Sequence, residues 1–186
     1  MKRIFDLFLS LCLVPVLLLP ILAIAVFVRL TSEGPALYWS DRVGINNGIF
    51  RMPKFRTMRV DTPAVATHLM KNPDVYLTPI GSFLRRFSLD ELPQLYSILK
   101  GDISFVGPRP ALYNQDDLVG LRTGKGIHKL IPGITGWAQV NGRDVLSIPV
   151  KVDFDEYYLK NRSFAFDFKI LWMTFVKVVR REGVSH

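Results

Sequence analysis

Hydrophobic and polar positions divide this chain into one long apolar run and a remainder of short, mixed segments. Residues 7–28 form 22 consecutive positions without a charged side chain, so all 24 basic and 16 acidic residues lie outside them. A helix of that length crosses a ~30 Å hydrocarbon core at about 1.5 Å per residue. The run exceeds the ~7–15-residue apolar core of a signal peptide, and no small-residue cleavage site follows it. Pro15 and Pro20 sit inside it. Each lacks an N–H and crowds the carbonyl four residues back, which predicts a kink or break. Lys2 and Arg3 precede the run, and Arg29, Arg42, Lys54, Arg56 and Arg59 follow it. Positive charge on both flanks satisfies the positive-inside rule only if both ends stay on the cytoplasmic side. This favours a re-entrant helix, broken at proline, over a single bitopic span. The chain therefore divides into a membrane anchor over residues 1–30 and a cytoplasmic, membrane-associated domain over residues 31–186.

Beyond the anchor, residues 36–40 and 49–55 are β-prone and are joined through Asn46-Asn47-Gly48, which predicts a β-hairpin with Pro53 on an edge. Residues 61–74 read as a surface loop or short helix. Residues 80–87 and 90–100 read as helices, the second beginning around Ser88–Asp90 and ending at Gly101 as its C-terminal cap. Gly107-Pro108-Arg109-Pro110 is rigid extended chain, and residues 132–143 read as loops and short strands around Trp137. In residues 164–179, Phe164, Phe168, Leu171, Trp172, Phe175, Val178 and Val179 share one arc of about 120° on a helical wheel, with Lys169, Lys177, Arg180 and Arg181 elsewhere. Such a helix lies in a lipid headgroup region or packs that arc on a core. The fold class is α+β: an N-terminal re-entrant membrane helix broken at proline, a small β-hairpin, and several helices, some interfacial and amphipathic.

Composition narrows the classes further. Apolar residues make up 49% and charged residues 22%, with mean hydropathy +0.22, which excludes disordered and low-complexity chains. The one cysteine, Cys12, lies in the apolar run, and three histidines are scattered, so neither a disulfide scaffold nor a structural zinc site is available. A formal charge of +8 and a pI near 9.8 call for an anionic partner.

The densest chemistry is Arg85-Arg86-Phe87-Ser88-Leu89-Asp90-Glu91-Leu92-Pro93-Gln94. Pro93 belongs in the first turn of a helix, so Asp90 and Glu91 sit at the helix start, where the dipole and nearby arginines favour their ionised form. An ionised carboxylate can attack phosphorus or bind a metal. The plainer alternative is a capping box of Ser88 with Glu91. Arg85, and Arg109 locked between two prolines, are suited to phosphate oxygens. Mg²⁺ bridging a carboxylate and a pyrophosphate would complete the neutralisation.

Seven ordered blocks carry a resemblance over nearly the whole chain. They are Lys2-Arg3-Ile4-Phe5-Asp6, Asp41-Arg42-Val43-Gly44, Lys54-Phe55-Arg56-Thr57-Met58, Ser88-Leu89-Asp90-Glu91-Leu92-Pro93-Gln94-Leu95, Lys100-Gly101-Asp102, Gly107-Pro108-Arg109-Pro110, and the run from Pro132-Gly133-Ile134-Thr135-Gly136-Trp137 through Ala138-Gln139-Val140-Asn141-Gly142-Arg143. The chain resembles the small monotopic polyprenyl-phosphate phosphoglycosyl transferases, also called bacterial sugar transferases, of the type that is the catalytic unit alone. The resemblance implies Asp90 as nucleophile and Glu91 as its partner in catalysis and in holding Mg²⁺. It implies that Lys54 and Asp167 belong to the active site, and that Arg85, Arg109 and Arg143 hold phosphate or nucleotide. It further implies transfer of a phosphosugar from a UDP-sugar to polyprenyl phosphate through an aspartyl intermediate, with loss of UMP, at the cytoplasmic face of the bacterial inner membrane among anionic lipids. Members often carry Ser-Pro at the break of the anchor, whereas this chain has Leu19-Pro20 and an additional Pro15.

Three other readings account for less. A nucleic-acid-binding protein would interleave basic and aromatic residues on one strand face, but the basic residues here sit in separate proline- and glycine-framed motifs. A membrane scaffold leaves Asp90-Glu91 and Arg109 unexplained. A metal-dependent glycosyltransferase could use Asp153-Phe154-Asp155 as an Asp-X-Asp motif, although those aspartates read as part of a solvated turn.

Overall fold

The computed structural model describes residues 1–63, 73–142 and 145–180. The fold is α+β, with a long apolar N-terminal helix, an antiparallel hairpin and several further helices. Helix α1, Lys2–Thr31, runs without interruption through Pro15 and Pro20. The expected break is absent, and the reason lies in what α1 touches. Its inner face packs against the rest of the chain along its length: Leu13, Val14 and Leu17 lie on Leu95, Ile98 and Ile103, and Ile21, Ile24, Ala25 and Val28 lie on Phe55 and Leu84. Polar contacts fix the N-terminal end. Lys2 reaches Asp167, the Arg3 guanidinium donates to the carbonyls of Ile98 and Leu99, and Asp6 accepts the Phe105 N–H. Contacts on both sides of each proline hold the helical path that the prolines alone would interrupt. The outer face is apolar and open, with Leu19 76% and Leu30 77% exposed. This helix is long and apolar enough to cross a membrane.

Strands β1, Leu37–Val43, and β2, Ile49–Phe55, pair antiparallel, with Tyr38 opposite Lys54 and Trp39 opposite Pro53. Asn46 and Asn47, at φ +53° and +61°, turn the chain between them. Most of residues 61–74 lies outside the described residues. Helix α2 is Gly81–Arg86. The helix expected over residues 90–100 is two pieces, a 3₁₀ segment Leu89–Gln94 and helix α3, Leu95–Lys100. In an α-helix Pro93 would crowd the Leu89 carbonyl, so the chain tightens to 3₁₀ until it has passed the proline. Gly101 closes α3 in the left-handed region at φ +101°, as the cap requires.

Strands β3, Ser104–Val106, and β4, Gly133–Thr135, form a short parallel pair. The backbones touch there: a Cβ on Gly133 would stand 2.1 Å from the Gly107 nitrogen, so no larger residue fits. Helix α4 is Asp116–Gly124. Trp137–Val140, expected among short strands and loops, is a single helical turn, α5. Helices α6, Ile148–Asn161, and α7, Phe164–Arg180, complete the main core around Val106, Leu118, Ile127, Val152, Tyr158 and Ile170. The arc of α7 does not pack on that core. Phe164, Phe168, Trp172, Phe175, Val178 and Val179 are all exposed, and of the seven only Leu171 joins the core. Burial falls instead on Asp167 and Ile170. The ring of Phe5 meets Phe164 edge-on at 5.1 Å, so the two helices with open apolar faces meet at their N-terminal ends.

Candidate active site

Side chains on one face of a two-stranded sheet alternate, so Tyr38, Ser40 and Arg42 of β1 share a face with Lys54 of β2. The 3₁₀ segment carrying Asp90 and Glu91 packs against this hairpin, and the loop after β3 brings Arg109 to the same point. Glu91 is the centre of charge. Its Oε1 accepts from Lys54 Nζ at 3.0 Å and from Arg109 at 2.7 Å. These two cations hold the Glu91 carboxyl well below the usual carboxylate range against the opposing effect of burial. Its side chain therefore does not turn back toward Ser88, and the capping box is not formed. Ser88 makes no cap hydrogen bond and adopts φ +54°, a conformation that costs energy for a non-glycine residue and recurs at functional sites.

Asp90 has the opposite environment. It is 8% exposed, and among the described residues no cation stands within ion-pair distance of it. Burial pushes its carboxyl upward, the neighbouring Glu91 charge adds to this, and the more distant Lys54, Arg85 and Arg109 offset only part. The sequence-based expectation that arginines and a helix dipole favour its ionised form is corrected here, because burial outweighs the cations, two of which are paired with Glu91. The pair thus splits into a carboxylate whose ionised form two cations favour and one whose ionised form burial disfavours, the pattern that separates roles in acid–base and nucleophilic sites.

The remaining cations are held in place around this pair. Arg85 donates to Thr57 Oγ1 at 3.0 Å, and burial lowers its pKa while Asp90 raises it. Burial lowers Lys54 as well, opposed by Glu91. Arg42 donates to Ser40 Oγ and to the Pro110 carbonyl, and burial together with Arg109 brings it down to about 10. Arg42 and Thr57 were visible only as letters in motifs, with no signal of their role.

Arg109 has a rigid support. Arg122 donates to its carbonyl at 2.8 Å and also grips Asp155 Oδ2 through Nε at 3.0 Å and a terminal nitrogen at 2.6 Å. Asp155 is 1% exposed, and Asp153 pairs with Lys125 at the surface. Both aspartates lie within helix α6 rather than on a solvated turn, and both have cationic partners. They are not a free Asp-X-Asp metal site.

One residue of the expected set makes its contacts elsewhere. Asp167 binds Lys2 Nζ at 2.5 Å and accepts from the Tyr158 hydroxyl at 2.6 Å, tying α7 to α1 and α6, with no contact to Glu91 or Arg109. Arg143 lies outside the described residues. Asp90, Glu91, Lys54, Arg85 and Arg109 do converge, and Arg42 joins them.

A sequence model described as bacterial sugar transferase matches residues 1–181. The chain belongs to the bacterial sugar transferase family. It is 42% identical over its full length to an uncharacterized sugar transferase, EpsL, of Bacillus subtilis, covering 90% of that protein. It is 40% identical, over 95% of its length, to a UDP-glucose:undecaprenyl-phosphate glucose-1-phosphate transferase of Escherichia coli, and 35% identical, over 98%, to an undecaprenyl-phosphate galactose phosphotransferase of Salmonella typhimurium. It spans 40% and 41% of the length of those last two relatives.

Removing the Glu91 charge tests the division between the two carboxylates. Glu91→Gln frees Lys54 and Arg109 to act on Asp90, whose pKa then falls. The Asp90 carboxyl is expected to ionise at lower pH, measured as its side-chain 13C chemical shift across a pH series. A titration that stays in place or moves upward contradicts this division.

Proposed function

We propose that this chain transfers a sugar 1-phosphate from a UDP-sugar to polyprenyl (undecaprenyl) phosphate, through an aspartyl-phosphosugar intermediate and with release of UMP. The observation that carries this reading is the asymmetry of the pair: Glu91 engages Lys54 and Arg109, whereas Asp90 is desolvated and has no ion-pair partner among the described residues. A desolvated carboxylate is more basic and, once ionised, a better nucleophile.

In the first step an Asp90 oxygen attacks the β-phosphorus, and the bond from that phosphorus to the bridging oxygen breaks. UMP leaves with the electron pair. In the second step an oxygen of the polyprenyl phosphate attacks the same phosphorus and expels the Asp90 carboxylate, giving a polyprenyl diphosphosugar. Lys54, Arg85, Arg109 and Arg42 offset charge on the diphosphate as two anions meet, and Arg143 is assigned to nucleotide or phosphate. Asp167 acts at a distance, by fixing α7.

Among the described residues no three acidic, histidine or cysteine side chains converge. Mg²⁺ needs only one or two carboxylates when substrate phosphates and waters supply the rest, so Asp90 and Glu91 fit as its protein ligands. When bound it would supply further neutralisation of the diphosphate.

The open apolar faces of α1 and α7 support a seat in lipid; this reading places it at the inner membrane, with the catalytic domain on the cytoplasmic face and basic flanks on anionic headgroups. In this reading residues 1–30 lie in one leaflet without crossing it, and residues 31–186 work at its surface.

Incubation of the lipid-reconstituted protein with undecaprenyl phosphate and a panel of UDP-sugars, starting with UDP-glucose and UDP-galactose, tests the reaction type. One UMP is expected for each lipid-linked sugar formed. Release of UDP instead contradicts phosphosugar transfer.

A further inference from the structure

A cavity of about 310 Å³ lies between α1, the 3₁₀ segment with α3, and α7, at the lower end of the ~300–1,000 Å³ usual for small-molecule sites. Its walls are mainly apolar and include Leu13 and Leu17 of α1, Leu92 and Leu95, Phe105, and Val178 of α7. One part of its lining is Ser88 and Glu91, so it adjoins the candidate active site. Two cations, Arg86 and Lys177, also line it. Among the described residues neither makes a hydrogen bond or ion pair, although every other cation of the candidate site is engaged. The one carboxylate in the lining, Glu91, is already neutralised by Lys54 and Arg109.

An apolar cleft with two uncommitted cations suits a ligand that is anionic at one end and apolar along the rest. Two of its walls belong to α1 and α7, the two helices whose other faces are open and apolar, so a chain lying in lipid could enter without crossing water. We propose that Arg86 and Lys177 hold the phosphate of the polyprenyl phosphate acceptor in this cleft, with its first isoprene units against Leu13 and Leu17. This rests on the phosphosugar-transfer reading above. It assigns the second substrate a place apart from the cations that serve the first: Arg86 and Lys177 deliver the attacking phosphate oxygen, and Lys54, Arg85 and Arg109 receive the donor diphosphate.

The test separates the two half-reactions in the full chain reconstituted in lipid. Adduct formation is followed with UDP-sugar alone, and discharge is then started with undecaprenyl phosphate. Lys177→Gln and Arg86→Gln are each expected to raise the acceptor KM by roughly 10–100-fold, the size of a lost charged hydrogen bond, with the loss confined to discharge. Lys177→Arg is expected to recover most of it. An unchanged acceptor KM, or equal losses in both half-reactions, overturns the proposal. So does a loss that follows weaker binding to phosphatidylglycerol vesicles, since the cations would then serve bulk lipid. If the unsubstituted protein forms no adduct, the failure belongs to the covalent mechanism and not to this cleft.

Discussion

Asp90→Asn is expected to reduce turnover by more than ~10³-fold and to raise the melting temperature of the same protein. The first effect follows from removing the attacking oxygen. The second follows from burial. The folded state raises the Asp90 carboxyl above its ordinary value, so in the window between the two values the folded protein holds a proton that the unfolded chain has released. Stability therefore falls as pH rises through that window, and the loss is complete once pH exceeds the folded value. A neutral amide of the same shape escapes it. For a chain of this size each ~1 kcal/mol recovered adds about 2–4 °C, a trade of stability for function common at active sites. The difference in melting temperature between the Asp90→Asn variant and wild type should shrink as pH is lowered below the ordinary carboxylate range, where Asp90 is protonated in both states. Thermal melts at a series of pH values from about 7 down to about 3 check both points, and a variant less stable than wild type at neutral pH contradicts the argument.

Asp155→Ala carries the largest expected effect on stability. Arg122 is 12% exposed at its side chain and has Asp155 as its only carboxylate partner among the described residues. Truncating Asp155 leaves a guanidinium buried and unpaired, a change that costs about 3–5 kcal/mol. Because Arg122 also holds the Arg109 carbonyl, the damage should reach the active site. The donor KM rises in whatever fraction stays folded. Urea unfolding monitored by circular dichroism gives the first quantity and initial rates give the second. Asp153→Ala, at the surface of the same helix, serves as the control and should change stability by less than about 1 kcal/mol.

How much of this was legible in the sequence depended on the range of the interaction. The hairpin, the Gly101 cap and the α7 arc are written in local periods and turn residues, and each formed where expected. The proline break was also a local inference, and it failed because α1 is held on both sides of Pro15 and Pro20 by residues from about 30 to 165 positions away. Motif density placed Asp90, Glu91, Arg85 and Arg109 in one group, and the family resemblance added Lys54. It did not reveal which carboxylate would receive the cations, since that depends on how the hairpin and the loop after β3 approach the 3₁₀ segment. Asp155 shows the same limit from another side. It occupies a core-facing position on α6 between Val152 and Tyr158, so an ionic partner interrupts the apolar period that would have marked the helix. The family resemblance implies an active-site role for Asp167, yet its contacts are those of a latch between α1, α6 and α7.

The most direct test of the central claim is intact-protein and peptide mass spectrometry of the enzyme quenched in acid after incubation with UDP-sugar and no lipid acceptor. The expected result is a mass increase equal to one sugar phosphate, located on the peptide containing residue 90, lost on addition of undecaprenyl phosphate and absent from Asp90→Asn. Turnover that proceeds with no adduct on that peptide, or an adduct that persists in the variant, would contradict it.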